Sequence, residues 1–213
     1  MDQTDTILLA IPDTARRAAC FTALAISGNR IVRGFANPVE VVEALVTIPS
    51  ACVVIDRPGF SDHDFAVMIE ALGSHPAASG LIVAPALTTA DALALLDCQP
   101  CDVLMGEAEA PAIAERVETL LPLVRALNQR AKAERTARVA LARLSPREQN
   151  VLAGLAAGQT SKDIARQLGV SPRTVEVHRA SIMRRTNAAT LADLLRLHFL
   201  IEYAAPSGMA RAA

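Results

Sequence analysis

The sequence predicts an α/β front half, a doubly wound sheet of five parallel strands, followed by a small all-α domain of four helices. Five short apolar runs alternate with amphipathic or alanine-rich stretches across residues 1–126, the order that parallel strands covered on both faces produce. From residue 144 the pattern turns wholly helical and is cut by Ser-Pro, Thr-Ser and Gly signals, which start and stop helices. The charge changes sign as well. Residues 1–126 hold 7 Lys/Arg against 16 Asp/Glu, residues 127–143 hold 5 against 1, and residues 144–201 hold 8 against 4. An acidic front and a basic back point to two modules, the second with an anionic partner such as nucleic acid.

The strands are read at TILLAI (6–11), RIV (30–32), CVVI (52–55), LIVA (81–84) and DVLM (102–105). The third, with three β-branched residues in a row, fits a strand buried on both faces. Helices are expected at 14–27, 38–47, 62–72, 88–97 and 110–126. In such a sheet functional sites gather at the carboxyl ends of the strands, here Ile11–Asp13, Asp56, Ala84 and Gly106. Residues 110–143 read as one long helical stretch interrupted by Pro122, with Ile113, Val117, Leu120, Val124 and Leu127 on one apolar stripe. That stripe suits either a helix packed on its own sheet and continued as a linker, or a dimerising coiled coil.

In the back half, Ser145-Pro146-Arg147-Glu148 is a capping box with proline at the first helical position. Gly158 ends that helix, and Thr160-Ser161 opens a second that runs to Leu168. Gly169-Val170 makes a tight turn, Ser171-Pro172 opens a third helix, and a fourth covers 190–202. The expected organisation is a sheet domain over 1–126, a helical linker over 127–143, a four-helix domain over 144–203 and a disordered tail over 204–213.

No uninterrupted apolar stretch reaches the roughly 18–20 residues of a membrane span. The start, MDQTDTILLA, has acids and no basic n-region, so no secretion signal is expected. A cytoplasmic protein then keeps Cys20, Cys52, Cys98 and Cys101 as thiols rather than structural disulfides. Cys98-Gln-Pro-Cys101 is a C-x-x-C, a spacing shared by redox dithiols and zinc half-sites. The other two cysteines are isolated, which argues against zinc. Cys98 falls near a helix C-terminus, the end that does not lower a thiol pKa. Cys98 and Cys101 therefore read either as a redox pair or as thiols that fill space. No metal, cofactor or enzymatic activity is expected.

Two short helices joined by a glycine turn in a basic segment make a helix-turn-helix. At about 100° per residue, Val175 and Ile182 share the core side of the third helix with His178 beside them, and His178 reads as structural. Arg173, Val177, Ala180 and Arg184 share the opposite side, flanked by Glu176 and Met183. Arginines around small apolar residues suit a major groove, with Val177 or Ala180 on a thymine methyl. Glu176 suits either a cytosine amino group or a neighbouring arginine.

The run LSPREQNVLAGLAAGQTSKDIARQLGVSPRTVEVHRASIMRRTNAATLADLLRL resembles the DNA-binding domain of LuxR/FixJ-type transcription regulators through L-S-P-R-E, K-D-I-A, L-G-V-S-x-x-T-V and V-H. The resemblance implies that 172–185 enters the major groove, that Glu176, Val177 and Ala180 face bases, and that Lys162 and Thr174 hold phosphates. It also implies that the last helix pairs two copies, making a homodimer on double-stranded DNA. Leu191, Leu194, Leu195, Leu197 and Leu200 agree, since they exceed what one small core needs.

A five-stranded βα module ahead of such a domain resembles a response-regulator receiver, of the flavodoxin-like order. Receivers accept a phosphoryl group on an aspartate ending the third strand, the place of Asp56. The resemblance also implies an acidic pair after the first strand, a hydroxyl ending the fourth and a lysine after the fifth. Here those places read Ala10-Ile11-Pro12 with Asp13 nearby, Ala84, and Gly106-Glu107. Phosphoryl transfer needs charge neutralisation by metal and lysine, so the expectation is a degenerate receiver in which Asp56 holds the place without the chemistry. The alternatives are a phosphorylation-dependent regulator using Asp56 with helpers such as Asp13, and a device whose acidic face (Glu40, Glu43, Asp62, Asp64, Glu70) docks a partner protein.

Overall fold

A computed structural model of the protein describes residues 4–26, 29–98 and 100–203. The expected disordered tail lies outside the described residues. Five strands, β1 (Asp5–Ala10), β2 (Arg30–Phe35), β3 (Ala51–Asp56), β4 (Ala78–Ala84) and β5 (Cys101–Met105), pair in parallel in the order β2-β1-β3-β4-β5. Between them run α1 (Thr14–Ala25), α2 (Pro38–Thr47), α3 (Asp62–Ser74) and α4 (Thr89–Asp97), and a 3-10 turn at Arg57–Gly59 follows β3.

Alternation along the strands divides two apolar layers. Leu8, Ala10, Val53 and Ile55 face α2, α3 and α4, where Val41, Leu45, Phe65, Met68 and Leu72 complete one core. Ile7, Leu9, Cys52 and Val54 face the other way, against Cys20 and Leu24 of α1 and the stripe Ile113, Val117, Leu120 and Val124. That stripe belongs to α5 (Ala110–Leu141) and is sealed against its own sheet, so it is not the seam of a coiled coil. The helix runs unbroken through Pro122 rather than stopping there. Leu120, Leu121 and Val124 are buried on either side of it, and fully burying a leucine or valine yields about 1.5–3 kcal/mol, enough to offset the roughly 3 kcal/mol an interior proline costs.

The chain divides into two compact units that part between Ala131 and Lys132. The second contains α6 (Pro146–Ala156), α7 (Ser161–Leu168), α8 (Pro172–Thr186) and α9 (Leu191–Glu202). Val151, Leu152, Leu155, Ile164, Val175, Ile182 and Leu194 form its core. Among the described residues no helix is long and apolar enough to cross a membrane.

Candidate nucleic-acid interface

Each helix of the second unit is started by a side chain on its own backbone. Ser145, Thr160, Ser171 and Thr190 each accept the amide three residues on. Between α7 and α8 the chain turns through Gly169 at φ 67°, ψ 36°, a left-handed conformation that favours glycine. Two groups then set the placement of α8. Val175 and Ile182 are fully buried. Glu148, only 3% exposed, accepts the Ser145 amide at 2.8 Å and the Ser181 hydroxyl at 2.7 Å, and lies 3.4 Å from Arg185 Nε. The Ser145 amide, helped by Ser181 and Arg185, holds the Glu148 carboxyl below its ordinary range despite burial. Sequence reasoning saw Glu148 only as a cap. Its second task was legible in the i,i+4 spacing of Ser181 and Arg185 on α8.

The opposite side of α8 is open. Arg173, Glu176, Val177, Ala180 and Arg184 are all exposed, Val177 to 63%. His178 is half-buried beside the core. Glu176 is bonded to the Ser161 hydroxyl and to Arg179 at 3.0 Å, so in this state it pairs with a neighbouring arginine and ties α8 to the start of α7. The Ser161 bond holds its carboxyl low. Thr174, half-buried, shares a 2.8 Å bond with the Ser171 hydroxyl. Lys162 is exposed in the first turn of α7.

At the sheet's carboxyl edge, Ala10 pairs with Ile55 and Asp56 with Val83 in register, which brings Ile11 and Ala84 to the flanks of Asp56. Ile11 and Ala84 are fully buried and apolar. Pro12 packs over the turn after Asp56, since a Cβ on Gly59 would stand 2.7 Å from its ring. Asp13 is the N-cap of α1, accepting the Arg16 amide at 2.7 Å. Gly106 has φ 97°, which a lysine rarely adopts. A cation that sequence reasoning passed over completes the edge: Arg16 Nε lies 3.2 Å from Asp56 Oδ2. Burial pushes the Asp56 carboxyl up, Arg16 opposes that rise, and the Asp13 charge adds to it.

Arg57, the next residue, points into the protein instead. It donates to Asp91 at 2.8 Å and to the Phe60 carbonyl at 2.8 Å, pairs with Asp62, and lies 4.7 Å over the Phe65 ring. Cys98 and Cys101 do come together, with their sulfurs 2.7 Å apart and no disulfide formed.

Residues 142–198 match the family described as bacterial regulatory proteins, luxR family. The chain is 30% identical over 190 residues to the transcriptional regulatory protein FixJ of Azorhizobium caulinodans, covering 88% of each. It is 41% identical over 93 residues to FixJ of Bradyrhizobium diazoefficiens, an alignment spanning 42% of this chain and 45% of that one. Among solved structures, the response regulator StyR superposes with a TM-score of 0.67 at 25% identity, over 91% of this chain and 98% of the other.

Proposed function

This chain belongs to the FixJ-type response regulators of the luxR family, a DNA-binding transcription regulator, and we propose that its DNA binding is not governed by phosphorylation of Asp56. The observation that carries this reading is the edge around Asp56. A phosphoryl group arriving there brings negative charge that metal and lysine normally neutralise. Here the neighbouring places are Ile11, Ala84 and a left-handed Gly106, and Asp13 is spent on a helix cap. Arg16, the cation paired with the carboxylate, neutralises Asp56 itself. Control then falls to a protein contact on the front unit, a ligand or the redox state of the chain.

DNA recognition is assigned to the open side of α8. Val177 and Ala180 read bases between Arg173 and Arg184, and Glu176 joins them by exchanging Arg179 for a cytosine amino group. Lys162 and Thr174 hold phosphates at the start of α7 and α8, where helix N-termini also favour anions. Two copies pair through α9, whose Leu197 and Leu200 are only half-buried, giving a cytoplasmic homodimer on a two-fold site.

The experiment is incubation with acetyl phosphate and Mg²⁺ followed by intact-mass measurement. No phosphoryl adduct is expected. An adduct on the wild type that disappears in Asp56→Asn would establish the phosphorylation-dependent reading instead.

A further inference from the structure

We propose that Cys98 and Cys101 form a dithiol that a hydroperoxide converts to a disulfide at the junction of α4 and β5. The two sulfurs lie 2.7 Å apart, so bond formation to about 2.05 Å asks for little movement. Both ends are anchored. Cys98 closes α4, its amide bonded to the Leu95 carbonyl at 3.2 Å, and Cys101 begins β5. The preceding Pro100 carbonyl accepts the Gly80 amide at 3.3 Å and the Ser79 hydroxyl at 3.0 Å. Room for the sulfurs comes from Gly80, where a Cβ would stand 3.0 Å from Cys101 Sγ. Cys20 and Cys52 sit in the core layer on the other face of the sheet, so the pair reacts only with itself.

The thiols are unequal. The two sulfurs share one hydrogen bond, which holds the Cys98 thiol below its ordinary value against its burial and pushes Cys101 up. Burial pushes Cys52 up to about 12 and raises Cys20. The thiolate is the nucleophile, so Cys98 attacks first. Its sulfur takes one oxygen of hydrogen peroxide, the O–O bond breaks, and hydroxide leaves. Cys101 sulfur then displaces hydroxide from the sulfenic acid on Cys98. The protons of both thiols leave in two waters; the protein loses two electrons and the peroxide gains them.

This deepens the reading that control does not run through phosphoryl transfer, yet its readout is thiol chemistry and can fail independently of the acetyl phosphate experiment. Reduced full-length protein is treated with hydrogen peroxide, denatured, alkylated with N-ethylmaleimide, and the modified residues located by tandem mass spectrometry. Loss of two alkylatable thiols, both at Cys98 and Cys101 and both restored by dithiothreitol, is expected. Cys101→Ser, which keeps a hydrogen-bond donor beside Cys98, should trap a dimedone-reactive sulfenic acid on Cys98, and Cys98→Ala should leave Cys101 unreacted. Four alkylated thiols after peroxide, oxidation falling first on Cys20 or Cys52, or dimedone labelling of Cys101 in Cys98→Ala overturns the proposal. The wild-type result decides it even if neither variant folds.

Discussion

Asp91→Ala should destabilise the front unit by about 3 kcal/mol, because it strands the buried cation that follows Asp56. Asp91 and Arg57 are 4% and 8% exposed, and their 2.8 Å contact joins the turn after β3 to the N-terminus of α4. Removing one partner of a buried pair costs roughly 3–5 kcal/mol, because the other charge stays desolvated. The lower end applies here. Arg57 keeps Asp62, but that side chain is 87% exposed and offers a screened pair. The same substitution opens the capping box of α4, in which Asp91 accepts the Thr88 amide at 3.0 Å. The assay is urea unfolding of the full chain, with labelling of the buried Cys52 thiol reporting the front unit alone. Arg57→Leu combined with Asp91→Ala should recover much of the loss, since replacing both charges removes the desolvation problem. A loss below about 1 kcal/mol in the single variant, or a double variant worse than the single, would refute the account of a stranded charge.

Acid should act on the same pair and on Glu148. Burial disfavours charged Asp91, but the Thr88 amide and Arg57 outweigh it and leave the carboxyl below its ordinary value; Glu148 is likewise low. A depressed folded pKa adds stability that is complete above the unfolded pKa and lost as pH falls through the folded one. Both units should therefore weaken on acidification below the ordinary carboxylate range, and urea midpoints measured down that range check it; a flat profile contradicts it. Lys162→Ala should weaken binding to all DNA sequences and lower the salt slope by about one, measured by fluorescence anisotropy at several salt concentrations. Val177→Ser and Ala180→Ser should instead shift sequence preference in a selection experiment with the salt slope kept, and unchanged preference in both would move the base-reading surface elsewhere on α8.

The parallel sheet covered on both faces and the exposed side of α8 were legible because each rests on a period, whereas the strand order came only with the resemblance to a receiver. Strand alternation sorts Leu8 from Leu9, and helical spacing sorts Val175 and Ile182 from Val177 and Ala180. What escaped has no period. Arg16 and Asp56 are 40 positions apart in the chain and meet only because β1 and β3 are neighbours. Arg57 carries no signal in the sequence, because its burial against Asp91 depends on where α4 begins. The helix dipole argued against Cys98 as a low-pKa thiol; the sulfur of Cys101, placed by the turn into β5, is the nearer influence and has the opposite sign.

On the proposed reading, one substitution is not enough to bring Asp56 into phosphoryl chemistry. A lysine at 106 would enter with φ 97°, a conformation that costs an L-residue of order 1–3 kcal/mol, or would move the chain whose amide bonds the Ala84 carbonyl at 2.9 Å. Carboxylates in place of Ile11 and Pro12 would put charge where Ile11 is fully buried and where the proline ring fills the space over Gly59. Releasing Arg16 alone leaves a half-buried carboxylate whose pKa burial already raises, without the cation now paired with it. On that reading each helper's place is held by a group that stabilises the fold, and packing and backbone geometry close the edge as much as residue identity does.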